Sequence, residues 1–189
     1  MKKLNELTND ELFNLFEKNA WLREKMCSFC EESVNDYISD YLYGFRKING
    51  LEYSIGYNDY FTFNGYRAGV QGYEDFIYAC MEVQRSYCLF SDKTETLLKR
   101  INAKLELYTE AWQGYRDISD KNYERLEKWI DKGIETLCNE ILSFCKDIYD
   151  SAYDKDYQEE ELLNFVEWNG SDYETDGTYI YETIHKKYA

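Results

Sequence analysis

The longest unbroken apolar pattern in the chain runs through Tyr123, Leu126, Ile130, Gly133, Ile134, Leu137, Ile141, Phe144 and Ile148, spaced mostly three or four apart. That period puts one stripe on one side of a helix and predicts a helix over about 120–150 with bundle-type packing. Nearer the start, Thr8-Asn9-Asp10-Glu11 reads as a capping box, the threonine hydroxyl taking a free amide and the glutamate reaching back. Leu12, Phe13, Leu15 and Phe16 follow on one side of the helix it opens. After the cap candidate Asn19, helical spacing resumes at Leu22, Met26, Phe29, Cys30, Val34, Tyr37, Ile38, Tyr41, Leu42 and Phe45, ending near Asn49-Gly50. Two more helices are predicted over 73–90 and 94–112, separated by a break and recap at Ser91-Asp92-Lys93-Thr94.

The period shortens to two in two places. Leu51, Tyr53, Ile55 and Tyr57 alternate, Asn58-Asp59 can turn, and 60–63 is β-prone, so 51–63 reads as a hairpin, with Gly65, Gly69 and Gly72 in its exit loop. After a short helix over 159–168 and a turn at Asn169-Gly170, the Tyr/Thr/Ile run over 173–184 predicts a second hairpin around Asp176-Gly177. The fold class is therefore α+β, predominantly helical: a helix bundle with two small tyrosine-rich hairpins in a single compact domain, 1–189. Ser28-Phe29-Cys30 recurs as Ser143-Phe144-Cys145, and Asn49-Gly50-Leu51-Glu52-Tyr53 is echoed by Asn169-Gly170-Ser171-Asp172-Tyr173. The echo suggests a helix-plus-hairpin unit used twice, with halves 1–72 and 119–189 joined by helices over 73–118.

Composition sharpens this picture. With 44% hydrophobic and 18% aromatic residues and no proline, the chain can build a core and favours long helices. No run approaches the ~18 apolar residues of a membrane span. The opening Met1-Lys2-Lys3-Leu4-Asn5-Glu6 lacks the apolar core of a signal peptide, so a cytoplasmic location is expected. In that compartment the six cysteines (Cys27, Cys30, Cys80, Cys88, Cys138, Cys145) are expected as buried thiols. Cys27-Ser28-Phe29-Cys30 spells C-x-x-C, but it lies within a helical run and no second pair answers it, so no metal site is assigned.

Charge changes the picture most. The net charge is −15, and residues 140–182 hold thirteen acids against two bases, a net −11. Six tyrosines (Tyr149, Tyr153, Tyr157, Tyr173, Tyr179, Tyr181) are interleaved with them. A field of one sign repels nucleic acid and anionic membrane and attracts basic proteins. Catalytic signatures are absent from the sequence. His185 is the only histidine, which leaves little scope for a Ser-His or Cys-His pair, and there is no Walker loop, no strand-borne G-x-G-x-x-G and no H-E-x-x-H. Asp172, Glu174, Asp176 and Gly177 approach a calcium loop, but the closing position is Thr183, with Glu182 one residue early. The chain is read as non-enzymatic and without a cofactor.

Tyr37, Tyr41, Tyr108 and Tyr123 lie on apolar faces and are expected in the core. Tyr53, Tyr57, Tyr60, Tyr66, Tyr173, Tyr179 and Tyr181 alternate or flank turns, and some of them should be exposed for binding. On one helix Asp147, Asp150 and Asp154 would project from one side at ~4.5 and ~6 Å of rise, against one DNA charge per ~1.7 Å of duplex. With the pairs Asp36-Tyr37, Asp40-Tyr41, Asp59-Tyr60, Asp156-Tyr157 and Asp172-Tyr173, this composition resembles phage-encoded DNA-mimic inhibitors of the anti-CRISPR and anti-restriction kind. The resemblance implies a non-catalytic inhibitor seated in the basic nucleic-acid groove of an effector nuclease. Asp147, Asp150, Asp154, Asp156, Glu159, Glu160, Glu161, Asp172, Tyr173, Glu174, Asp176 and Tyr179 are its expected contact residues. The same electrostatics fit an immunity protein or antitoxin against a basic nuclease toxin, or an acidic scaffold.

Overall fold

The computed structural model describes residues 1–56 and 58–188. Among these, the helices are α1 (Asn9–Lys18), α2 (Ala20–Tyr41), α3 (Gly65–Tyr87), α4 (Asp92–Trp112), α5 (Asp120–Ser151), α6 (Lys155–Asn169) and α7 (Ile180–Tyr188). Strands β1 (Leu51–Ser54) and β2 (Tyr60–Phe63) form one antiparallel hairpin. Helix holds 74% of the described residues, so the α+β, predominantly helical class is correct. No helix among the described residues is long and apolar enough to cross a membrane.

Packing divides the chain into a terminal unit, Met1–Tyr37 with Ile148–Ala189, and a central unit, Ile38–Asp147. In the terminal unit the expected capping box forms. Glu11 N–H donates to Thr8 Oγ1 at 3.3 Å, and Thr8 N–H to Glu11 Oε2 at 2.9 Å. Asn19 caps as expected too, its Oδ1 accepting from Leu22 N–H at 3.2 Å. Leu12 and Phe16 of α1 pack with Leu22, Met26, Cys30 and Val34 of α2 and with Leu162, Phe165 and Val166 of α6. The four-residue steps along α2 keep one row inward. Each such fully buried side chain is worth roughly 2 kcal/mol of transfer free energy.

In the central unit the long seam does what its period predicts: Leu126, Ile130, Ile134, Leu137 and Ile141 of α5 are buried. The hairpin pairs Leu51 with Phe63 and Tyr53 with Phe61. Asp59 Oδ1 holds its turn by accepting from Gly56 N–H at 2.6 Å; Tyr57, expected in the alternating row, lies outside the described residues. The glycine-rich exit is not a loop. α3 starts at Gly65, capped by Asn64, and bends at Gly69, whose φ of 64° is a conformation that favours glycine.

Only one of the two expected hairpins becomes a sheet. At 173–184 the turn forms, with Gly177 N–H donating to Glu174 O at 2.9 Å and a single bridge pairing Tyr173 with Tyr179. From Ile180 the chain is helical instead of returning as a strand. Glu182 in the first turn and His185, Lys186 and Lys187 in the last turn oppose the helix dipole with the favourable signs. Tyr181, Ile184 and Tyr188, three and four apart, fit helix better than strand.

Candidate partner-binding surface

The acidic residues singled out in the sequence do not form one row. α5 ends at Ser151, so Asp154 does not continue the helix that carries Asp147 and Asp150. Asp154 is the N-cap of α6, its Oδ1 accepting from Asp156 N–H at 2.8 Å and Tyr157 N–H at 3.3 Å. It is a fold residue first. Asp147 and Asp150 are exposed near the end of α5, Asp147 in the central unit and Asp150 in the terminal one.

Along α6, the buried positions Gln158, Leu162, Phe165 and Val166 fix the inner face. Consecutive residues turn ~100° about a helix axis, so Glu159, Glu160 and Glu161 fan apart. Glu159 is half-buried and holds Lys155 Nζ at 3.1 Å, while half-buried Glu161 accepts from Asn164 Nδ2 at 3.2 Å. Glu160 alone of the three faces fully outward. It lies in an exposed row with Asp156 and Glu167, together with Leu163 and Trp168. Glu167 and Trp168 were missed by the sequence reading. The buried positions of α6, once counted, would have revealed them.

The C-terminal turn supplies the other acids. Asp172 and Asp176 are exposed, and Glu174 is half-buried, its own N–H bonded to Thr178 O at 3.0 Å. Hydrogen bonds from the Thr178 side chain and backbone hold the Asp176 carboxyl below its ordinary pKa, so it stays ionised. Tyr173 is not a free anchor. It is half-buried, its ring 5.0 Å from Trp21 and 6.0 Å from Phe165, and its carbonyl accepts from Leu4 N–H at 3.1 Å. Tyr179 is half-buried against it at 5.2 Å. The tyrosines expected in the core divide as well: Tyr41 and Tyr108 are buried, Tyr123 is half-buried and Tyr37 is exposed. Exposed rings in the terminal unit are instead Tyr37, Tyr153, Trp168, Tyr181 and Tyr188.

Charge follows the division of the chain. The terminal unit has 19 acids against 8 bases, a net −11, and the central unit has 18 against 14, a net −4. Of the N-terminal acids that join the terminal unit, Asp10, Glu17, Glu24 and Glu32 are exposed.

The cysteines sort by burial. Cys30, Cys80, Cys138 and Cys145 are buried, Cys27 is half-buried and Cys88 is exposed. Burial pushes the Cys30, Cys138 and Cys145 thiols up to about 12, so all three are protonated and weakly nucleophilic at neutral pH. Among the described residues, no group of three or more His, Cys, Asp or Glu is placed to hold a metal ion.

The central unit also carries a groove of about 970 Å³ beside β2 and α5. Arg67, Lys128 and Lys132 line it together with Glu52, Asp131 and Glu135, so its charges balance. No protein-family model, curated protein or solved structure matches the chain.

Proposed function

We propose that the protein is a non-catalytic acidic inhibitor whose terminal unit occupies the basic nucleic-acid-binding groove of an effector nuclease. The observation that carries this reading is the concentration of charge: −11 of the −15 belongs to one compact unit. Its exposed carboxylates sit on rigid supports: Asp156, Glu160 and Glu167 on α6, and Asp172 and Asp176 at the hydrogen-bonded turn. A folded acidic surface steers a basic partner at long range, and nearby exposed rings such as Trp168 supply contact area that charge alone lacks.

Along α6 the step from Asp156 to Glu160 is ~6 Å and from Glu160 to Glu167 ~10.5 Å, sparser than the ~3.4 Å between phosphates of one DNA strand. The row therefore has to be joined by the carboxylates of the C-terminal turn to compete with nucleic acid. The test is capture of partners from the native host by wild-type protein and by the Asp156→Lys/Glu160→Lys/Glu167→Lys variant, followed by competition with nucleic acid at several salt concentrations. The reading expects a nucleic-acid-binding protein that the wild type captures, the variant loses, and nucleic acid displaces. Capture that survives the triple reversal, or a partner indifferent to nucleic acid, would overturn it.

A further inference from the structure

The terminal helix α7 is amphipathic in the wrong sense for a helix packed on its own unit. Its inward side carries Glu182, Thr183 and Lys186, which border a cavity of about 400 Å³ with Trp21 and Lys25. Its outward side carries Tyr181, Ile184 and Tyr188, exposed at 62%, 51% and 81%, with His185 and Lys187 beside them. No residue of α7 is buried. An apolar stripe edged by Lys187 and turned to solvent on a nine-residue helix is a surface that lacks its cover.

The central unit carries a surface of the opposite kind. Between α3 and α4 runs a groove formed by two adjoining hollows of about 340 and 570 Å³ that share Met81 and Asn102. Tyr78 and Met81, 66% and 44% exposed, provide its apolar floor together with Leu98 and Leu105. At one end the charged lining residues are Glu74, Asp75 and Glu106, which are bonded to the neutral groups of Thr109, Gln71 and Asn102. At the other end Arg85 is paired with Glu82, and Lys99 with Glu95. From Glu74 to Cys88 the α3 wall is ~21 Å long, and nine residues of helix span ~13.5 Å, so α7 fits within it.

We propose that this groove is the docking site for α7 of a second copy of the chain. Ile184 and Tyr188 would lie on the Tyr78–Met81 floor, and Lys187 would meet the carboxylates of Glu74, Asp75 and Glu106. This is helix-in-groove recognition, with apolar anchors three and four residues apart. Where each chain of a pair lends its α7 to the other's groove, the contact is made twice, and two small interfaces hold where one would not. Charge complementarity favours this occupant: Lys187 borders the apolar stripe of α7, and the Glu74 end of the groove is lined by three carboxylates and no base. The inference is independent of the inhibitor reading, since it involves neither α6 nor the acids of the C-terminal turn.

The test is sedimentation velocity of the full-length chain across the micromolar range, with circular dichroism to confirm that each variant is folded. The wild type should move from one chain mass towards two. Ile184→Asp, Lys187→Glu and Glu106→Lys should each weaken association about tenfold, as expected for loss of an interface anchor. The combined Lys187→Glu/Glu106→Lys chain should associate more tightly than Lys187→Glu alone, because one of the three carboxylates facing residue 187 has become a cation. A wild type that stays at one mass would overturn the proposal and leave α7 to a different partner or a lipid surface. An Ile184→Asp chain that associates like the wild type, or a charge exchange without recovery, would overturn it equally.

Discussion

The Tyr73 hydroxyl donates to Asp131 Oδ1 directly beneath Gly65, in the space that a Cβ at Gly65 would fill. This one bond ties α3 to α5 in the central unit. Burial first, and then the hydrogen bond to Asp131, raise the Tyr73 pKa, so the phenol stays protonated and remains a donor. Gly65→Ala should destabilise the protein by about 2 kcal/mol in urea unfolding, as overpacking against a fixed ring does. Tyr73→Phe should cost about 1 kcal/mol and should lessen the penalty of Gly65→Ala, a coupling that a double-mutant cycle reads directly.

Asp154 and Glu160 separate stability from binding. Asp154→Ala removes a helix N-cap and should lower stability by about 1 kcal/mol. Glu160→Ala, on the exposed face of α6, should stay within about 0.5 kcal/mol of wild type. Chemical denaturation of both variants checks this; equal costs would show that the acids of this stretch share one role.

Tyr173 should behave as a packing residue. Tyr173→Ala opens the space between Trp21 and Phe165 and should cost about 2 kcal/mol, whereas Tyr173→Phe keeps the ring and should cost under about 1 kcal/mol. If both variants unfold like wild type while binding is lost, the ring is a contact residue after all.

Glu11 links the N-terminal cap to pH. The Thr8 backbone first, and then Lys2, hold its carboxyl below the ordinary glutamate value. A depressed carboxyl contributes stability above its unfolded pKa and loses that contribution as pH falls through the lowered folded value. Glu11→Gln should therefore flatten the acid limb of a stability–pH curve and leave the limb above neutrality unchanged.

Thiol labelling should follow burial. Under native conditions Cys88 should react first with an aromatic disulfide reagent and Cys27 more slowly, while Cys30, Cys80, Cys138 and Cys145 should react only as the protein unfolds. Labelling kinetics followed by peptide mapping give the order.

Much of this structure is local and could be read without coordinates. The caps at Thr8, Asn19 and Ser91, the α5 seam from Tyr123 to Ile148, the hairpin across 51–63 and the excess of acid over base all rest on residues within a few positions of one another. Periodicity and capping chemistry report such features because a turn of helix or a strand pair is set by its neighbours. The rest was decided by residues far apart in sequence. Trp21 and Phe165 take Tyr173 out of solvent; Leu162, Phe165 and Val166 choose which of the α6 acids face outward; and the end of α5 at Ser151 turns Asp154 from a row of charges into a cap. Alternation at 173–184 fits a strand only if a neighbouring strand completes its hydrogen bonds. The segment finds two isolated bridges, Glu174 to Lys3 and Tyr173 to Tyr179, and from Ile180 a helix satisfies the backbone by itself.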